Sequence, residues 1–84
     1  MKRTKRIQNI LEKNFIDFDI AVIDDSFAHK GHNNFDGNEE THIIIKLKKK
    51  INLNITRLEI HKKINTLISD EFKMGLHALQ IKIT

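Results

Sequence analysis

Apolar residues recur along the chain with two different periods, and the periods divide it into elements. Ile7, Ile10, Leu11 and Phe15 fall at i, i+3, i+4 and i+8. That spacing collects side chains on one face of an α-helix. Arg3, Lys5, Arg6 and Lys13 lie largely off this face. Over Phe18-Asp19-Ile20-Ala21-Val22-Ile23 the period shortens to two, with Phe18, Ile20 and Val22 on a common side. Alternation and branched residues together predict a strand over 18–23. A second strand is predicted over 42–48, built on Ile43-Ile44-Ile45-Lys46-Leu47. Helical spacing then returns over 54–73, where Ile60, Ile64, Leu67, Ile68 and Phe72 form the stripe and Thr56-x-x-Glu59 fits a capping box. Asn54 is able to start a short preceding turn, so a small helix followed by a long one is an alternative for this stretch. Gly75 stands just past the helix, where a left-handed residue is needed. Leu79, Ile81 and Ile83 alternate with Ala78, Gln80 and Lys82 in a third strand over 76–83.

Between the first two strands, residues 24–40 carry Gly31, Gly37, Asn33, Asn34 and Asn38 but almost nothing apolar. A loop of that length in so small a domain is usually functional or disordered. It permits an antiparallel pairing of the strands it joins. The helical crossover from the second strand to the third demands a parallel, right-handed connection. The expected architecture is therefore a two-layer α+β domain of order αββααβ, a three-stranded mixed sheet with its helices on one face. The whole chain, 1–84, is expected to form a single domain, since a core that splits needs far more residues than 84.

Composition removes several function classes. With no Cys, the chain cannot be a disulfide scaffold, a zinc ribbon or a self-contained iron–sulfur protein. No apolar run approaches the roughly 18 residues of a membrane span. The basic N-terminal segment Met1-Lys2-Arg3-Thr4-Lys5-Arg6 has no apolar stretch behind it, so a secretory signal is not expected. A cytoplasmic protein without membrane partners, monomeric when isolated, is the resulting expectation. The formal net charge of +4 has two readings. Ile, Lys and Asn have A/T-rich codons, and they dominate this chain, so the charge is either background or the mark of an anionic partner. Its distribution says more: residues 1–13 and 43–84 are basic, and 14–42 are acidic.

Five histidines are the candidate reactive or ligating groups: His29, His32, His42, His61 and His77. His29 and His32 lie three apart in the loop with Asp36, Glu39 and Glu40 downstream, a weak pattern for Zn²⁺ or Ni²⁺. His42 opens the second strand, where it can instead fix the loop by hydrogen bonding. His61 sits beside the helical stripe and reads as a packed or surface histidine. His77 leads into the third strand in phase with Leu79, which aims it at the core face but at the strand's solvent-accessible end. No catalytic constellation stands out. Ser26 and Ser69 have no recognisable elbow, Asp24 and Asp25 point to opposite faces of a strand, and the three glycines form no phosphate loop. The chain reads as a binding or adaptor module before it reads as an enzyme. A basic run of Lys46, Lys48, Lys49 and Lys50, continued by Arg57, Lys62, Lys63 and Lys73, is the basis of a nucleic-acid alternative. No Tyr or Trp is available for base stacking.

The motifs Val22-Ile23-Asp24-Asp25-Ser26, His29-Lys30-Gly31-His32 and Thr41-His42 occur in that order. They are followed by a helix carrying His61, Asn65 and Leu67, and by Gly75-Leu76-His77-Ala78-Leu79. Over roughly residues 5 to 83 the chain resembles the BolA family. The resemblance implies a class II KH-like fold and partnership with a monothiol glutaredoxin. In such complexes a [2Fe–2S] cluster is shared, with thiolates from the glutaredoxin and from glutathione. No cofactor is expected in the isolated chain. The histidine of the closing His-Ala-Leu motif, here His77, is the implied cluster ligand. The second implied ligand comes from the loop, where His29 matches the histidine after Asp-x-Ser and His32 and His42 are the fallbacks. Two imidazoles opposite thiolates give a Rieske-like pattern, which raises the reduction potential. The family has also been linked to transcriptional regulation, so the resemblance implies DNA as the alternative partner, through Lys46, Lys48, Arg57, Lys62 and Lys63.

Several positions depart from the family pattern. Asn52-Leu53-Asn54 stands where Phe-x-Gly is common, and Ile60-His61-Lys62 replaces Arg-His-Arg. The Gly-x-x-Gly of RNA-binding KH domains is absent, with Arg57-Leu58-Glu59-Ile60 in its approximate place. No helix is expected after the third strand. These departures weaken the nucleic-acid alternative and leave the histidine positions untouched.

Overall fold

The structure is a computed structural model that describes residues 2–26 and 41–84. Its element order is α1 (Arg3–Asn14), β1 (Phe18–Asp24), β2 (His42–Lys49), α2 (Arg57–Leu67), α3 (Ser69–Lys73) and β3 (Ala78–Ile83). The strands form one sheet of order β1-β2-β3. β1 and β2 are antiparallel, with Phe18 opposite Lys49 and Asp24 opposite Ile43. β2 and β3 are parallel, with His42 opposite Ala78 and Leu47 opposite Ile83. The mixed sheet predicted from the periodicity is the one found.

Alternation along β2 separates the two faces. Ile43, Ile45 and Leu47 are buried, and Lys46 and Lys48 are exposed. The buried set joins Ile7, Leu11, Ile60, Ile64 and Ile68 in one cluster, so the helices cover the Ile43 face and leave the Lys46 face open. Phe15 and Phe18 close one end of the cluster edge to face, ring centres 5.7 Å apart. Thr56 caps α2 as the sequence predicts: its side chain accepts from Glu59 N–H, and Glu59 accepts from the Thr56 N–H.

The helical stretch 54–73 differs from the prediction in two ways. It is neither continuous nor a small helix followed by a long one; the long helix comes first, and a five-residue helix follows it. Ile68, at φ −110° and ψ 20°, breaks the ladder between them. The residue buried after Ile68 is Glu71 at i+3, whereas Phe72 at i+4, assigned to the apolar stripe, is exposed.

Glu71 is held from the first helix. Arg6 makes a fork, Nε to Oε2 and Nη2 to Oε1, both 2.8 Å, and Arg3 Nε donates to Oε1 at 2.9 Å. Arg3 and Arg6 are thus half-buried partners of a carboxylate. Arg3 Nη2 also donates to the Met74 carbonyl at 2.7 Å, so the arginine ties both a side chain and a helix end.

Candidate functional site

The chain reverses direction after α3 through a left-handed glycine. Gly75 has φ 112°, and Leu76 N–H donates to the Glu71 carbonyl at 2.9 Å. This is the six-to-one bond of a Schellman cap. The cap sends Leu76 into the core, where it is buried, and delivers His77 to the end of the sheet. His77 N–H and Ala78 N–H both donate to the Thr41 carbonyl, at 2.8 and 3.2 Å. His77 is exposed, as its place at the solvent-accessible end of the sheet allows. The strand proper starts only at Ala78, so the pleat does not dictate the direction of residue 77.

Three chain segments meet at this end of the sheet. Asp24 Oδ1 accepts from Ser26 N–H at 2.9 Å, which curls the end of β1 inward. The buried Ser26 hydroxyl then accepts from Thr41 N–H at 2.7 Å and from His42 N–H at 3.1 Å. Asp25 N–H donates to the His42 carbonyl at 2.8 Å. The Asp-x-Ser motif therefore works as a clamp that fixes the backbone of Thr41 and His42. Sequence reasoning singled out these residues without finding that role.

The clamp brings two histidines together. The His42 and His77 rings lie with centres 6.0 Å apart at 74°. The Thr41 hydroxyl is 3.0 Å from His42 Nδ1. In the tautomer with the proton on Nδ1, that nitrogen donates to Thr41 and Nε2 carries the lone pair. Nitrogen ligands bind a metal at about 2 Å, so two rings at this spacing are close enough to share one ion. Among the described residues no group of three potential metal ligands occurs. Two imidazoles are, in number, half of a tetrahedral ligand set.

Other predicted residues fall elsewhere. His29 and His32 lie outside the described residues, as do Asp36, Glu39 and Glu40. His61 is half-buried on α2, and its carbonyl accepts from Asn65. The five basic residues grouped for nucleic acid do not share a surface. Lys46 and Lys48 stand on the open face of the sheet, whereas Arg57, Lys62 and Lys63 belong to the helix packed on the other face. Lys63 is moreover engaged with the Asn14 carbonyl at 3.2 Å, and its ammonium lies 4.9 Å from the centre of the Phe15 ring. Among the described residues no helix is long and apolar enough to cross a membrane.

The family model described as BolA-like protein matches residues 2–84. The chain belongs to the BolA family. A relative from a Sinorhizobium species, the uncharacterized protein in cobS 5'region, is 32% identical over 83 residues, covering 98% of this chain and 89% of the relative. The chloroplastic protein BOLA1 of Arabidopsis thaliana is 30% identical over 81 residues; the match takes in 94% of this chain but spans only 51% of that protein. Among solved structures, the BolA domain of SufE1 from Arabidopsis thaliana superposes with a TM-score of 0.79 at 32% identity, covering 100% of this chain and 92% of that one. The BolA-type order of two paired strands, helical crossover and parallel third strand is thus the frame that presents Thr41, His42 and His77 together.

Proposed function

We propose that this BolA-family chain is an adaptor that shares a [2Fe–2S] cluster with a monothiol glutaredoxin and passes it on in iron–sulfur trafficking or iron regulation. The observation that carries the reading is the pairing of an exposed His77 with His42 at a hydrogen-bonded sheet end. The cluster is cargo, so half a ligand set is the appropriate equipment. The chain contributes imidazoles, and the thiolates come from the glutaredoxin and from glutathione. Imidazole is a neutral ligand, so this half raises the cluster's reduction potential relative to all-thiolate ligation. Protons compete for the same nitrogen lone pair, which makes such a half site release its cargo more readily in acid.

His77 is the first ligand in this proposal. For the second, His42 is favoured by its distance to His77, and His29 by the family resemblance, with His32 behind them. The fixed backbone of His77, bonded to Thr41, and the clamp on His42 reduce the ordering cost of ligation.

The experiment is a mixing titration. The chain is combined with a monothiol glutaredoxin, glutathione and reconstituted cluster, and visible circular dichroism is recorded. A spectrum distinct from that of the glutaredoxin homodimer is expected, and His77→Ala abolishes it. His29→Ala, His32→Ala and His42→Ala measured side by side identify the second ligand. A mixture whose spectrum matches the glutaredoxin homodimer alone overturns the proposal.

A further inference from the structure

The open face of the sheet has an organisation that the histidine site does not use. Its residues line up in rows across the three strands. Ala21 pairs with Lys46, which pairs with Lys82, and in the next row Asp19 faces Lys48. Thr84 lies beside that second row, its N–H donating to the Leu47 carbonyl and its carbonyl accepting from Lys49 N–H. These side chains surround a basin of about 450 Å³. Ala21 is the reason it exists, because a methyl group on the edge strand leaves space that a larger side chain would fill. Ala21, Lys46, Lys48 and Lys82 are among the residues that line it, and the lining is mostly apolar.

The basin carries three ammonium groups and the carboxylate of Asp19, so positive charge is in excess. The side chains of Lys46, Lys48 and Lys82 make no hydrogen bond or ion pair with the described residues. The Asp19 carboxylate at the rim is 3.8 Å from the Lys50 ammonium. Lys46 and Lys82 are direct cross-strand neighbours, and like charges in that relation are unfavourable in a bare sheet. Lysines on edge strands protect against sheet-to-sheet association. That accounts for Lys82 on β3 but not for Lys46, which is on the central strand. An anion placed between the ammonium groups would turn the repulsion into attraction.

We infer that this basin is a binding site for a small phosphorylated molecule with a flat apolar body, the chemistry of a nucleotide. Its volume falls in the range of small-ligand sites. Ammonium groups are compact charges that suit phosphate oxygens without demanding a fixed fork geometry. Three of them in two adjacent rows match a ligand with several negative charges better than a single carboxylate. The apolar lining takes the flat body, and lysine stems pack on it. The site lies apart from His77. His42 and Ala78 pair at the opposite end of the β2–β3 ladder from Leu47 and Ile83.

The test is a titration of the ¹⁵N-labelled full chain followed by amide chemical shifts, with ATP as the probe and adenosine and inorganic triphosphate as separate arms. Saturable shifts are expected at residues 19–21, 46–48 and 82–84. The double variant Lys46→Gln/Lys82→Gln is expected to weaken ATP about tenfold, the effect of losing two partly exposed charge contacts. Lys62→Gln/Lys63→Gln on the helical layer and His77→Ala leave binding unchanged. Adenosine and triphosphate each bind more weakly than ATP. These substitutions are at exposed positions, and unshifted core amides report that the variants fold. The inference is overturned by unchanged affinity in the Lys46/Lys82 variant, by shifts spread equally over residues 57–63, or by triphosphate binding as tightly as ATP. Absence of any shift at millimolar ATP overturns it as well.

Discussion

Glu71 concentrates more electrostatic consequence than any other single described residue. It is nearly inaccessible to solvent, yet it is charged, because Arg6 and Arg3 supply donors for both of its oxygens. The Arg6 hydrogen bonds hold its carboxyl below the ordinary value near 4.5; burial opposes them, and the Arg3 bond adds to them. A folded pKa below the unfolded one contributes stability that is fully present above the unfolded value and is lost as pH falls through the folded value. The wild-type urea midpoint is therefore expected to drop on acidification below about pH 4.5. In Glu71→Gln that acid limb flattens, because the linked proton is gone. Glu71→Ala at neutral pH strands two arginines and is expected to cost about 3 kcal/mol in urea denaturation. A wild-type-like midpoint for Glu71→Ala would mean that the fork is ornamental. None of this was legible in the sequence. Helical spacing puts Glu71 on the face of Ile60, Ile64 and Leu67, but an acidic residue gives no apolar signal there, and its partners come from the distant first helix.

The turn from α3 into β3 decides where His77 stands. At Gly75 the strain of a substitution is conformational, since φ is 112° and an added Cβ would meet only the Arg3 Nη2 atom at the ordinary distance of 3.6 Å. Gly75→Ala is expected to destabilise by about 1–2 kcal/mol, and Gly75→Asn by less, because Asn tolerates the left-handed region. Urea midpoints of the two variants check the order; equal midpoints for Ala and Asn would show that the turn had moved. This element was legible in advance, as were the capping box at Thr56 and the three strands, because each is written in local chemistry or in a period of two. The order of the two crossover helices was not. Their division falls at Ile68, which is buried in the core, just before Glu71 meets the arginines of the first helix, and no local signal carries that information. The site was legible by halves. His77 and the Asp-x-Ser motif stood out through a family resemblance, whereas the meeting of His42 with His77 depends on strand register.

At the scale of the molecule, the stabilising contacts and the candidate binding groups occupy different places. The core lies between the helices and one face of the sheet, with Ile45 at its centre and wholly buried. His77 is at the end of the sheet and exposed, and the lysine basin is on the opposite face. Ile45→Ala is expected to cost about 2–5 kcal/mol through lost burial and a residual cavity. A small domain has a total of roughly 5 kcal/mol, so that variant sits near the edge of folding. His77→Ala removes no buried group and is expected to change the urea midpoint by less than about 0.5 kcal/mol. The contrast matters for the cluster experiment. If His77→Ala unfolds the chain as Ile45→Ala does, loss of the heterocomplex spectrum reports a collapsed fold and the ligand assignment loses its support. If stability is kept and the spectrum is lost, the missing group is the imidazole itself, and the sheet end acts as a platform whose histidines can be exchanged without disturbing what holds it up.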